Sequence, residues 1–164
     1  MTLPWPPLTI RAQPAPIGLT GLPTWFWLAG LNGQPITASQ HVQVAGLANA
    51  QPGCPGGAGA AEDVAVQAVP VGYTWRFGDD RPASSLTTTT AGVPYPRQDG
   101  AITHQYEDTS GGSGHPNGFL VQVDAQFRLQ FRSGNGAWQA LPASDRQAAL
   151  RYPVQQAYPV IVGP

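Results

Sequence analysis

Histidine is the side chain that most often carries acid–base or metal chemistry, and this chain has three, at positions 41, 104 and 115. A zinc site needs its ligands on one side of the backbone, so that they converge on the metal. His104 and Glu107 lie three residues apart on a predicted strand, and their side chains therefore point to opposite faces. We exclude a zinc pair here and expect His104 to pack beside Tyr106 with a hydrogen-bond partner.

A serine beside a histidine suggests nucleophilic catalysis, and the pattern occurs twice. Ser39 and His41 lie on one face of a predicted strand, while Ser113 and His115 lie in a predicted loop. Neither pair has an evident orienting carboxylate or an oxyanion-hole signature. The Gly-Ala-Gly segment at 57–59 precedes a strand and has no lysine nearby, which argues against a phosphate cradle. We predict no catalytic residue, no cofactor-binding residue and no enzymatic activity.

Acidic side chains leave calcium as the one metal to consider. Asp79 and Asp80 follow an aromatic segment in a predicted turn, where Asx hydrogen bonds are their expected role. Together with Asp99 they are also the candidate ligands of a calcium ion. Calcium takes about six to eight oxygen ligands, and no loop of this sequence repeats an acidic pattern. We therefore expect no bound metal and no other cofactor.

The charge of the chain excludes two classes of partner. It has eight basic residues, all of them arginine, nine acidic residues and a net charge of −1. Scattered arginines without a basic patch predict no binding to nucleic acid or to an anionic membrane surface. No apolar run approaches the roughly 20 residues that a membrane-spanning helix needs, so we expect no membrane insertion.

The compartment is suggested by the N-terminus and by cysteine usage. The first residues, Met-Thr-Leu-Pro-Trp-Pro-Pro, lack the basic and apolar regions of a signal peptide. The chain is therefore either cytoplasmic or a mature or excised piece of a secreted protein. Cys54, in a Pro- and Gly-rich segment, has no second cysteine to pair with. We expect an unreactive thiol, with a bridge to another chain as the alternative.

Strict alternation of apolar and polar residues over 119–131 is the strongest pattern in the sequence, and it predicts a long half-buried strand. The apolar positions are Phe119, Val121, Val123, Ala125, Phe127, Leu129 and Phe131. We expect this strand to form an extended C-terminal hairpin with residues 148–154, through a loop that contains Gly134-Asn135-Gly136.

Shorter strands separated by Gly and Pro account for the rest of the chain. The predicted strands are 8–13, 22–28, 40–44, 64–69, 73–77 and 102–106, with long loops over 46–63 and 81–100. No helical period persists, and strands do not alternate with helices. This arrangement is typical of an all-β sandwich.

Three segments together resemble one family. Tyr73-Thr-Trp-Arg-Phe-Gly-Asp-Asp80, then Ile102-Thr-His-Gln-Tyr106, then the alternating strand from Gly118 resemble the polycystic-kidney-disease (PKD) domain. The last glycine of the family's Trp-x-Phe-Gly-Asp-Gly turn is Asp80 here, a residue that adopts positive φ less readily. The resemblance implies an immunoglobulin-like β-sandwich over 22–132, usually extracellular or on the cell surface. Residues 1–21 are then a Pro-rich extension, and residues 133–164 a loop and strand that pair with 119–131.

The sequence predicts more apolar surface than a short sandwich can cover, and this surplus bears on function. Residues 25–28 are apolar on both faces of their strand, and residues 119–131 are long. The terminal segments could cover this surface, or another chain could meet it by strand addition. We expect a non-catalytic structural or assembly module, such as a cell-surface or filament subunit, that binds a protein or itself. The alternative is an accessory domain of a secreted enzyme that binds carbohydrate or peptide. The candidate interaction residues are Trp5, Trp25, Phe26, Trp27, Leu28, Tyr95, Trp138 and Tyr158.

Overall fold

The protein is described here by a computed structural model that places residues 2–43 and 61–158. These residues form β-strands and no helix, which confirms the all-β prediction. The strands are β1 (Thr9–Gln13), β2 (Gly18–Leu19), β3 (Pro23–Ala29), β4 (Ile36–Gln43), β5 (Ala61–Arg76), β6 (Ser85–Thr88), β7 (Ile102–Gln105), β8 (Phe119–Ser133), β9 (Gln139–Ala140), β10 (Ser144–Tyr152) and β11 (Val154–Gln155). Within the described ranges, no helix has the length and apolar character needed to cross a membrane.

The chain divides into two compact units, and β5, β8 and β10 contribute residues to both. The larger unit contains residues 6–33, 71–126 and 145–158, and the smaller unit contains residues 2–5, 34–43, 61–70 and 127–144.

Two antiparallel sheets make up most of the larger unit, an arrangement compatible with a β-sandwich. One sheet has the order β1-β3-β7, and the other contains β6, β10 and the adjoining parts of β5 and β8. Phe26 of β3 packs against Phe77, which directly follows β5, and against Tyr152 of β10, with ring centroids 5.4 and 5.5 Å apart. Large buried aromatics of this kind supply most of the apolar area in such a core.

The buried residues of two strands lie at the apolar positions that the alternating sequence pattern predicted. Tyr73, Trp75 and Phe77 share one face and are at most 2% exposed. On β8 the buried face extends from Phe119 to Phe127, while Leu129 and Phe131 are half-buried. The predicted length of this strand is confirmed, and β10 is its neighbour in the sheet. The predicted partner strand 148–154 is interrupted, because β10 ends at Tyr152 and Val154 belongs to β11, which pairs with β2.

The smaller unit is built around a regular antiparallel pair. β4 pairs with β5 without interruption from Ile36↔Ala68 to Gln43↔Ala61, and β9 pairs with the far part of β8. The Trp5 ring packs edge-on against Phe127, with centroids 5.0 Å apart. An apolar contact thus joins the N-terminal residues to this unit.

One predicted strand break is absent. Residues 64–69 and 73–77 were expected to be separate strands divided at Pro70 and Gly72, but β5 continues from Ala61 to Arg76. Proline removes a backbone donor, which matters only where a neighbouring strand needs it. The pairing of β5 with β4 ends at Ala68 and its pairing with β6 begins at Tyr73, so in the described part of the chain Pro70 falls between two paired stretches.

Several predicted boundaries also differ. The segment 81–100 contains β6, and β4 begins four residues before the predicted strand 40–44. The Pro-rich segment 1–21 contributes β1, which pairs with β3 along its whole length from Thr9↔Ala29 to Gln13↔Trp25. The predicted position Val44, most of the 46–63 loop with Cys54, and the C-terminal residues 159–164 lie outside the described residues.

Candidate functional site

A buried histidine–aspartate pair holds the turn that follows β5. His104 Nε2 donates a hydrogen bond to Asp79 Oδ2 over 2.8 Å, and the two side chains are 9% and 5% exposed. The backbone N–H of Asp79 also donates to Ser84 Oγ over 3.3 Å. Burial alone would raise the pKa of Asp79, but the hydrogen bonds with Ser84 and His104 and the charge of His104 hold this pKa below its ordinary value.

Aromatic rings enclose His104 on both sides. Phe77 stacks on the imidazole with centroids 4.2 Å apart, and Tyr106 meets it edge-on at 4.7 Å. The Tyr106 hydroxyl donates to the carbonyl of Phe77 over 3.1 Å, and burial raises the pKa of this phenol. The prediction that His104 packs beside Tyr106 with a hydrogen-bond partner is confirmed. A buried pair held between these rings stabilises the turn.

The turn itself explains two residues of the sequence motif. Gly78 has φ +80°, and a Cβ there would lie 2.5 Å from the carbonyl oxygen of Leu120, so only glycine fits. Asp80 adopts φ 55° where the PKD pattern has glycine. Aspartate reaches this left-handed region more readily than most residues, because its short polar side chain can bond locally.

The calcium candidates do not come together. The Asp79 carboxylate is engaged by His104, whereas Asp80 and Asp99 are exposed. No group of three His, Cys, Asp or Glu side chains able to hold a metal occurs within 2–43 and 61–158.

The structure gives His41 a partner that the sequence did not suggest. His41 Nδ1 lies 2.8 Å from Asp63 Oδ1, because His41 and Asp63 face each other in the β4–β5 register. Both side chains are more than half exposed, and within the described residues no hydrogen bond joins His41 to Ser39. An exposed histidine–aspartate pair without a bonded nucleophile lacks the geometry of a catalytic triad.

The aromatic interaction candidates on β3 divide by face. Phe26 and Leu28 are 0% and 2% exposed, so these two fill the core and are not available to a partner. Trp25 and Trp27 are half-buried on the outer face of the β1-β3-β7 sheet. Tyr95 is 54% exposed and meets Trp25 edge-on at 5.2 Å, which extends this aromatic face.

The remaining aromatic candidates have separate environments. Trp5 packs on Phe127, and Trp138 is half-buried beneath Arg132, whose guanidinium carbon lies 4.8 Å from the ring centroid. Tyr158 is 78% exposed. Trp5 and Trp138 are therefore less accessible than a loop position suggested, while Tyr158 is open to solvent.

Comparison with known proteins gives no further guide. No family, curated protein or solved structure matches this chain. The resemblance to PKD domains therefore remains a prediction.

Two surface features were missed by the sequence reasoning. One is β4, which among the described residues lies at the edge of its sheet and whose eight consecutive residues lack Asp, Glu, Lys, Arg and Pro. The sequence displays this absence, but only the sheet order places β4 at an edge. The other is a cleft where Arg76, Arg81 and Arg151 converge. Arg76 and Arg81 lie close together in the chain, but Arg151 comes from β10, so no local pattern could have indicated that all three converge.

Proposed function

We propose that this chain is a non-catalytic assembly module, an immunoglobulin-like sandwich of the PKD type on the outside of a cell. Its association with a second copy runs through the edge of β4. The all-β architecture and the three resembling segments support the fold and compartment. The observation that carries the assembly itself is the unprotected edge of β4.

Exposed strand edges invite pairing with other chains, and proteins protect them with charges, proline or short length. Strand β10 carries Asp145, Arg146 and Arg151, and β1 carries Arg11 over only five residues. Strands β6 and β7 have four residues each. In the described part of the chain, β4 is the edge strand of eight residues with none of these protections.

The sequence of β4 also suits pairing with itself. An antiparallel pair of identical strands is related by a two-fold axis, so each contact occurs twice. If the axis passes through Ser39, then Ile36 lies opposite Val42 of the second copy. This register places the two branched apolar side chains on the same face, where cross-strand pairs stabilise a sheet by about 0.2–1 kcal/mol each.

Charge substitution at the axis tests the proposal. Ser39→Lys places two like charges directly opposite each other and is expected to dissociate the assembly. Ser113→Lys, on an exposed loop, makes the same change of residue and charge and should have no effect. Mixing Ser39→Lys chains with Ser39→Glu chains should restore association, because opposite charges then face each other. Association of Ser39→Lys at the wild-type concentration would contradict the proposal.

A second candidate function rests on the outer face of the β1-β3-β7 sheet. The register places Arg11 beside Trp27, and Gln13 and Thr103 beside Trp25. Rings bordered by hydrogen-bonding side chains suit a neutral polysaccharide, whose C–H faces pack on aromatics while its hydroxyls bond to polar groups. This face supports the alternative of a carbohydrate-binding module.

Titration with soluble cellulose and xylan oligosaccharides tests this second candidate through tryptophan fluorescence. A saturable change that Trp27→Ala abolishes and Trp138→Ala preserves would support it. No response to either oligosaccharide would exclude it. Binding of this face to a second copy of the chain would also exclude it, and Trp27→Ala would then lower the solution mass.

A further inference from the structure

A cleft of about 540 Å³ opens on the larger unit beside the Gly78–Asp80 turn. Its volume falls within the range of small-ligand sites, roughly 300–1,000 Å³. The cleft is lined by side chains from several elements, with Arg76 from β5, Arg151 from β10 and Arg81 from the loop after the turn. Three of the eight arginines of a sparsely charged chain thus meet in one cleft.

The three guanidinium groups differ in their hydrogen-bond partners. Arg76 Nη1 donates to Asp124 over 2.6 Å, and Arg81 donates to Asp108. Arg151 donates to the carbonyl of Gly118 over 3.4 Å, and in the described part of the chain it has no carboxylate partner. A guanidinium offers several N–H donors in a planar fork that matches a carboxylate. Arg151 therefore has donors for an anion from solution, and Arg76 and Arg81 each use a single nitrogen.

The rest of the lining combines polar and apolar groups. Ser84, Ser85 and Gln122 contribute hydroxyl and amide groups, while Leu120 provides an apolar patch. Asp80 is mainly exposed at the rim and lies 3.6 Å from His115, so a hydrogen-bond acceptor is also present. Groups that both donate and accept hydrogen bonds suit a ligand with several hydroxyls.

We infer that this cleft binds a small hydroxylated carboxylate of the sugar-acid class. Arg151 binds the carboxylate, and Ser85 and Gln122 bind the ligand's hydroxyls. This site is separate from the β4 edge and does not depend on assembly. A bidentate arginine–carboxylate contact accounts for specificity over a neutral sugar, since charge-assisted hydrogen bonds are roughly twice as strong as neutral ones.

Calorimetric titration of the whole chain with galacturonate, galactose and acetate tests this inference. Galacturonate should bind, and both galactose, which lacks the carboxylate, and acetate, which lacks the hydroxyls, should bind at least about tenfold more weakly. Arg151→Gln should weaken galacturonate binding about tenfold, with Arg81→Gln as a second variant at an exposed position in case Arg151→Gln fails to fold. Arg97→Gln, an exposed arginine outside the cleft, should leave the affinity unchanged.

Three results would overturn the inference. The first is no heat of binding up to roughly 10 mM galacturonate, a limit that still detects millimolar affinity. The second is wild-type affinity in a folded Arg151→Gln variant, or in Arg81→Gln if Arg151→Gln does not fold. The third is equal affinity for acetate and galacturonate, which would mean that the arginines attract any carboxylate without recognising its hydroxyls.

Discussion

The imidazole of His104 and the carboxylate of Asp79 form a hydrogen bond of 2.8 Å in which both side chains are less than a tenth exposed. The pair connects β7 to the turn after β5, and Phe77 covers it by stacking on the imidazole. Buried polar groups stabilise a fold only while each keeps its partner. The pair is therefore a structural device, and its removal should be measurable as a loss of stability.

Asp79→Asn should lower the free energy of unfolding by about 1–3 kcal/mol, because it weakens a buried charge-assisted hydrogen bond. Urea unfolding followed by fluorescence measures the change. Asp80→Asn is the matched control, since this neighbouring side chain is 88% exposed and asparagine tolerates its positive φ. The control should change stability by less than about 0.5 kcal/mol. Equal losses in both variants would contradict the structural role of the pair.

The same pair predicts a pH dependence. The pKa of Asp79 lies below its ordinary value of 3.8 in the folded protein. Its contribution to stability is therefore complete above that value and is lost as the pH falls through the lower, folded-state pKa. Unfolding free energies measured from pH 7 to pH 2 should decline more steeply in the wild type than in Asp79→Asn below about pH 4. Parallel curves would show that this carboxylate does not contribute.

Asp80→Gly should leave the protein as stable as the wild type or raise its stability by up to about 1 kcal/mol. The φ of 55° at position 80 is strained for a residue with a Cβ and unstrained for glycine, although glycine loses more entropy on folding. Asp80→Ala should lower stability, because alanine lacks the local hydrogen bonds that make this conformation accessible to aspartate. Thermal unfolding should therefore rank the variants Gly, Asp, Ala, and a reversed order would contradict the strain argument.

Phe26→Ala should lower the free energy of unfolding by about 3–5 kcal/mol, because it leaves a cavity between Phe77 and Tyr152. Trp27→Ala removes a larger side chain from the adjacent position, but Trp27 is half-buried on the outer face. Trp27→Ala should therefore lower the free energy of unfolding by clearly less than Phe26→Ala does. Chemical denaturation of the two variants measures both losses. A greater loss in Trp27→Ala would mean that the outer face is covered in the folded protein.

The sequence was most informative where a period of two continued over many residues. The alternation over 119–131 predicted β8 and its buried face, and the aromatic positions of 73–77 predicted the core. Predictions based on local sequence failed where pairing between distant segments determines the strand. Pro70 did not end β5, because it falls between the residues that pair with β4 and those that pair with β6, and β6 formed in a segment with only weak apolar character.

The candidate sites depended even more on long-range placement. Both faces of residues 25–28 are apolar, so the sequence could not tell that Phe26 and Leu28 turn inward while Trp25 and Trp27 stay near solvent. The pairing of His41 with Asp63 depends on the β4–β5 register, and the arginine cleft depends on four strands meeting. No local pattern encodes either arrangement.

Solution mass of the unmodified chain, measured by light scattering over a wide range of concentrations, is the most direct test of assembly through the β4 edge. We predict a concentration-dependent rise from the 17.2 kDa monomer to twice that mass, with Ser39→Lys remaining monomeric throughout. A strict monomer at every concentration would contradict self-assembly. A dimer that Ser39→Lys leaves intact would place the interface elsewhere on the molecule.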